Sequence, residues 1–305
     1  MLTRAVLAAA DVRPGELWVD CTLGFAGHTR ALVEAGARVI GIDRDTEALA
    51  HARATLASAG DRVTLVHGDF RDVAALIGDA GPVDGVLADL GVSSWQLDRP
   101  ERGFSFRAAG PVDMRMDPSR GEPAEALIRR LSVPELADII RRYGEESYAG
   151  PIARGLAAWA AGAGPHDTAT LAAAVVAALP KKAAATRGHH PATKTFQALR
   201  IAVNDELGAL DALLDAIPAL LAPGGRALVI TFHSLEDRRV KQRFAELTGR
   251  SRPPAPRRGL PPPPAPPPAF AELLRKPAIA DAAEIEANPR ARSAKLRGVR
   301  KLEAA

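Results

Sequence analysis

Cysteine is almost absent from this 305-residue chain. Cys21 stands alone, so no intrachain disulfide forms and no Cys-based zinc cluster is available. A reducing, cytoplasmic setting fits that usage. Long apolar runs are also missing: the longest, Leu171 to Pro180, falls well short of the ~20 residues that cross a bilayer. No membrane association is expected. The opening stretch from Met1 meets Asp11 and Arg13 too early for a secretory signal. No internal repeat is visible, which argues against a solenoid or propeller. Lysine is scarce beside arginine, a bias that suits forked phosphate contacts and that a GC-rich genome would also produce.

What is present is ordinary globular material. Hydrophobic residues make up 47% and charged residues 25%, enough apolar content for a large core and too much for a disordered chain. The length suits about two domains or one large α/β domain. Charge is unevenly placed. From Thr231 onward 16 Lys and Arg face 8 Asp and Glu, whereas the whole chain is only +4, so the remainder is net negative. A basic C-terminal third suits a polyanionic partner, though a solvated surface has the same composition.

The first ninety residues alternate short apolar runs with amphipathic stretches. Strands are expected over Glu16 to Cys21, Arg38 to Ile42, Val63 to Val66 and Val83 to Leu90, with helices over Gly27 to Ala35, Thr46 to Ala57 and Val73 to Ile77. This β-α-β-α rhythm predicts a doubly wound, mostly parallel sheet. It stops at Ser93. Helical patterns follow, at Pro134 to Tyr143, Ile152 to Ala161 and Thr168 to Leu179, with no buried strand before about Val203. A helix over Glu206 to Leu221, a turn at Ala222-Pro223-Gly224-Gly225 and a strand over Arg226 to Phe232 then resume the rhythm. The gap is too long for one crossover, so a helical domain inserted into the α/β sheet is expected. The division is 1–112 and 204–305 for the core, 113–203 for the insert. Residues 252–268 are rich in proline and should form an extended surface loop within the core.

The segment from Val19 to His28 lies between the first strand and the first helix. Small residues there let backbone approach a ligand, and the helix start offers free N–H groups. Asp43, at the tip of the second strand, is placed to accept hydrogen bonds from a ribose diol. A dinucleotide site wants G-x-G-x-x-G, but the only glycines are Gly24 and Gly27. An S-adenosylmethionine site wants an acidic residue before the glycine loop, which Asp20 supplies, and this reading fits better. Phe70 follows the third strand, Asp89 ends the fourth, and Gln96 lies just beyond. In an open α/β sheet the ligand sits outside the carboxyl ends of the strands.

Six stretches, in order, resemble the bacterial ribosomal RNA small-subunit methyltransferase H family. They are Asp89-Leu90-Gly91-Val92-Ser93-Ser94, Glu101 to Phe106, Asp113 to Asp117, His190 to Arg200, Phe232 to Arg238 and Asn288 to Ser293. The resemblance implies a class I, Rossmann-like, S-adenosylmethionine-dependent methyltransferase with an inserted helical domain that recognises substrate. It implies transfer of a methyl group to the N4 amino group of a cytidine in the decoding region of 16S ribosomal RNA. It implies S-adenosyl-L-methionine contacts at Ala26, Gly27, His28, Asp43, Phe70, Asp89 and Gln96, with Asp89 also the candidate catalytic residue. The partner implied is 16S ribosomal RNA, within the small ribosomal subunit, and a homodimer is compatible with the family. The chain departs from the family at Ala26, where a glycine is usual, and lacks a His-x-Pro-Val opening.

A base held in folded RNA must be presented to such a pocket, and Phe104, Phe106 and Trp95 are candidate stacking faces, with hydrophobic packing the competing role. His189, His190 and His233 have no acidic or thiol partners at ligand spacing, so no metal is expected. Lys194, Arg200, Arg290, Arg292, Lys295 and Arg297 are candidate phosphate contacts. The competing classes are a methyltransferase of protein or small molecules and an RNA-binding factor that keeps the fold without the chemistry.

Overall fold

Period-two alternation decides which face of each strand is buried against which helices. In the strand over Leu17–Asp20 (β1), Trp18 packs on one side and Val19 on the other. In Val83–Asp89 (β4), Leu87 opposes Val86 and Ala88, and in Leu221–Thr231 (β5), Leu228 and Ile230 oppose Val229. A sheet apolar on both faces needs a helical layer on each. In the computed structural model, which describes residues 1–180, 188, 190–250 and 268–303, that is what forms.

The described residues divide into two compact units, 1–91 with 207–305, and 92–206. The first holds an eight-stranded sheet. Arg38–Asp43 (β2) and Val63–His67 (β3) join β1, β4 and β5 as parallel strands in the order β3-β2-β1-β4-β5. Lys295–Lys301 (β8) runs antiparallel beside β5, and Phe270–Glu272 (β6) and Ala278–Ile279 (β7) pair with β8. One face is covered by Thr3–Ala10 (α1), Gly27–Glu34 (α2) and Thr46–Thr55 (α3). The other is covered by Val73–Ile77 (α4), Glu206–Leu220 (α11) and Ser234–Leu247 (α12). Gly85 is required in the centre: a Cβ there would lie 2.2 Å from the fully buried Trp18 ring.

The second unit is helical. It contains Ser94–Asp98 (α5), Ala124–Arg130 (α6), Val133–Gly144 (α7), Ala149–Ala161 (α8), Thr168–Ala177 (α9) and Thr193–Asn204 (α10) around one apolar cluster. The sequence placed its start at 113, whereas the compact unit starts at 92. Phe104 and Val112 are buried in the helical cluster, with Val92 and Leu97 packed against it, and these carry the segment into this unit. Buried Asn204 ties it together by accepting from Met116 N–H at 2.8 Å and donating to the Met114 carbonyl at 2.7 Å. The expected turn at Ala222 to Gly225 is an irregularity inside β5, because Leu221 already pairs with Val83 and register resumes at Arg226 opposite Gly85. The expected Pro-rich loop lies outside the described residues except for Pro268.

Candidate active site

The parallel strands end along one edge of the first unit, and their last residues converge there. The loop after β1 is built around Asp20, which is 1% exposed. Its carboxylate accepts from Thr29 Oγ1 at 2.7 Å and from Thr22 N–H at 3.1 Å. Burial pushes this carboxyl above its usual range, against the opposing pull of His28 and the Thr29 hydrogen bond. Asp20 therefore braces the loop from beneath. Thr22 Oγ1 in turn accepts the Asp89 N–H at 2.6 Å, fixing the tip of β4 to the loop.

Asp43 ends β2 and accepts from Gly24 N–H at 2.7 Å and Asp45 N–H at 2.8 Å. Burial is the main reason its carboxyl is pushed up to about 6, only partly offset by those two amides. Each carboxylate oxygen has a second lone pair, so Asp43 keeps acceptor capacity for hydroxyl donors. Phe70, just past β3, is nearly buried in the core cluster on the α4 side. Ala26 lies in the left-handed region, φ 62°, at the N-cap of α2. Gly27 follows it, and a Cβ there would meet no atom within 4 Å, so the approach to the helix start is open.

His28 and Asp89 meet at this edge. His28 Nε2 lies 3.3 Å from Asp89 Oδ2, and the Met1 ammonium lies 3.6 Å from the same oxygen. His28 Nδ1 and Asp89 Oδ1 are both buried and have no hydrogen-bond partner among the described residues. Such orphans are costly unless a ligand or water completes them. One unpaired carboxylate oxygen, one unpaired imidazole nitrogen, an open helix N-terminus and the Asp43 carboxylate suit a ligand with an ammonium, a carboxylate and a ribose diol. These are the polar groups of S-adenosyl-L-methionine, so the residues present fit that cofactor. Gln96 belongs to the helical unit, where it is buried and closes a capping box with Ser93 at the start of α5.

Other sequence candidates are placed differently. Phe104 is 6% exposed and is core of the helical unit. Phe106 packs against His190 and Phe196, with ring centroids 4.5 and 4.9 Å apart. The Trp95 ring is covered by Arg99 at 3.6 Å. Lys194 donates to the Glu145 carbonyl, and Arg200 is held by the buried Glu206 in a two-bond fork. Both cations thus serve the helical unit's own folding. His233 Nε2 lies 3.1 Å from Glu236 Oε1, across the first turn of α12. His189 lies outside the described residues. Sequence reasoning missed Thr22 and Thr29 as the brace of the loop; a hydroxyl two and nine residues after a strand-end aspartate was the available signal.

A parallel β3-β2-β1-β4-β5 order extended by an antiparallel strand, with acidic tips and a glycine loop, defines the class I S-adenosylmethionine-dependent methyltransferase fold. The MraW methylase family model matches residues 1–302. The chain belongs to that family. Proteins named ribosomal RNA small subunit methyltransferase H are similar along the full length. The one from Anaeromyxobacter sp. (strain K) is 53% identical, covering 99% of this chain and 97% of its own. That from Sorangium cellulosum is 52% identical over 99% and 90%, and that from Heliobacterium modesticaldum 45% over 99% and 97%. Among solved structures, an rRNA methylase from Streptococcus thermophilus matches with a TM-score of 0.41 and 12% identity, over 98% of this chain and 95% of its own.

Proposed function

We propose that this chain methylates the N4 amino group of a cytidine in the decoding region of 16S ribosomal RNA, with S-adenosyl-L-methionine as methyl donor. The observation that carries the reading at the site is the buried, unpaired Asp89 Oδ1 at the end of β4, beside an open glycine loop. The full-length likeness to proteins named ribosomal RNA small subunit methyltransferase H supports the substrate class.

The bound cofactor supplies an electrophilic methyl group on a sulfonium. The protein does the rest. Asp43 accepts hydrogen bonds from the ribose hydroxyls, Phe70 offers a face to the adenine, and the backbone at Ala26 and Gly27 approaches the methionyl end. His28 holds Asp89 through Oδ2, leaving Oδ1 for an N–H donor. The N4 lone pair of cytosine is delocalised into the ring, so the nitrogen must pyramidalise to attack. An acceptor for its hydrogens aids that change and stabilises the positive charge that develops. Asp89 Oδ1 is that acceptor, and the proton lost from the methylated nitrogen passes to it. The helical unit recognises the RNA.

Transfer of labelled methyl groups tests this. Small ribosomal subunits from cells lacking the gene should be labelled on one cytidine, and total protein should not. Asp89→Asn should lower turnover by about a hundredfold or more. Full turnover with normal cofactor binding in that variant would exclude a catalytic role for the Asp89 charge.

A further inference from the structure

We infer that the corner formed by β7 and the start of β8 is a second RNA-contact surface, in which exposed Ile279 sits among cations and docks against ribose and base while those cations hold the phosphates. The inference rests on RNA being the substrate and adds a surface outside the methyl-transfer site.

Register places this corner at the active edge. Thr231, the last residue of β5, pairs with Lys295, and Lys295 pairs with Ile279. Because β8 is antiparallel, its first residues lie where the parallel strands end. Glu284, in the helix over Ala282–Ala287 (α13), accepts the Leu2 N–H, and Met1 lies against Asp89 and His28, so the corner borders the site.

Ile279 is 67% exposed, well above the 36% and 37% of Val176 and Leu302, the other exposed large apolar residues described. A lone exposed isoleucine would need no explanation. This one has cations on both sides. Arg275 and Lys276 are exposed just before β7, and Arg292 is exposed just before β8. Lys295 stands opposite it in register. Of the nearby acids, Asp281, Glu284 and Asp237 are engaged, while Glu286 on α13 is exposed. Asp281 caps α13 and pairs with Arg4 at 2.7 Å. Asp237 is shared by Lys295 at 3.2 Å and Arg297 at 2.8 Å, two cations on one carboxylate, which leaves that trio net positive. From Leu273 to Arg297 the chain carries 6 Lys and Arg against 3 Asp and Glu. A cationic rim around an apolar residue complements a sugar–phosphate chain and repels a second copy of itself.

The test uses the full-length protein, with small ribosomal subunits from a strain lacking the gene as probe. Arg275→Ala/Lys276→Ala/Arg292→Ala should weaken binding about tenfold and flatten the slope of log affinity against log salt by about two. Ile279→Ala should weaken binding about threefold or more with the salt slope unchanged. In both, affinity for S-adenosyl-L-methionine should stay at the wild-type value. Subunit affinity within a factor of two of wild type in both variants would overturn the inference, as would a change in oligomeric state as the only effect. The binding readout does not depend on methyl transfer. If the wild-type protein binds subunits but labels no cytidine, the proposed activity fails while the surface stands.

Discussion

Asp43 does two jobs whose pH dependences oppose each other. Burial lifts its folded-state carboxyl to about 6, above its unfolded value, so the native state holds the proton more tightly. The resulting stability is complete below the unfolded pKa and is lost as pH rises through about 6, an effect of about 3 kcal/mol at most. Accepting hydroxyl donors calls for the ionised form. Calorimetric titration should therefore show S-adenosyl-L-methionine binding about tenfold more weakly at pH 5 than at pH 8, because only about a tenth of Asp43 is ionised one unit below its pKa. Asp43→Asn should abolish that step, and an unchanged step would assign it to another group. Ala26 carries the other residue-scale cost. Its φ of 62° is one that side chains resist, at about 1 kcal/mol relative to glycine. Ala26→Gly should raise the melting temperature by about 1 to 3 °C; a lower melting temperature would show that the alanine methyl contributes packing that outweighs its strain.

Gly27 and Gly85 separate binding from folding at the level of elements. The site beside Gly27 is open, and its φ is not one reserved for glycine. Gly27→Ala at the first turn of α2 should leave thermal stability unchanged or slightly higher while weakening cofactor binding about tenfold. In central strand β4 the order reverses. Gly85→Ala drives a methyl into the Trp18 indole and should destabilise the fold by about 2 kcal/mol or more in denaturant titration. The parallel strands were legible as short apolar runs, buried on both faces in β2 and half-buried in the edge strand β3: Arg38–Asp43 and Val63–His67 follow the expected ranges nearly residue for residue. The last strand was not. Lys295–Lys301 reads KLRGVRK, and its cations look like surface until α12 is known to supply Asp237 to two of them. Burial alone would raise the Asp237 carboxyl, but the Arg297 hydrogen bond and the charges of Arg297 and Lys295 outweigh it and hold the group below the usual range. The α1 helix escaped notice because its Ala-rich sequence has neither a capping side chain nor a charge pattern.

For the whole molecule, the sequence anticipated an interrupted α/β core and placed the interruption after β4, where the chain leaves the sheet edge. The sequence set its start at 113, whereas the compact unit begins at 92, because Phe104 and Val112, ahead of that boundary, are packing residues of the helical unit. The strand-tip residues Asp43, Phe70 and Asp89 were legible one by one, since topology fixes where strands end. The His28–Asp89 contact and the two orphaned atoms were not, because they depend on how the loop after β1 folds back over β4. Among the described residues no helix is long and apolar enough to cross a membrane, and no three His, Cys, Asp or Glu side chains gather as a metal site. The substrate claim is tested most directly by mass spectrometry of 16S ribosomal RNA from cells with the gene, without it, and complemented by the wild-type or Asp89→Asn gene. The expected result is one methyl group on the N4 of a decoding-region cytidine, lost on deletion and restored by the wild-type gene but not by the variant. An unchanged decoding region after deletion, or a methyl lost from another base or from a ribose, would contradict it.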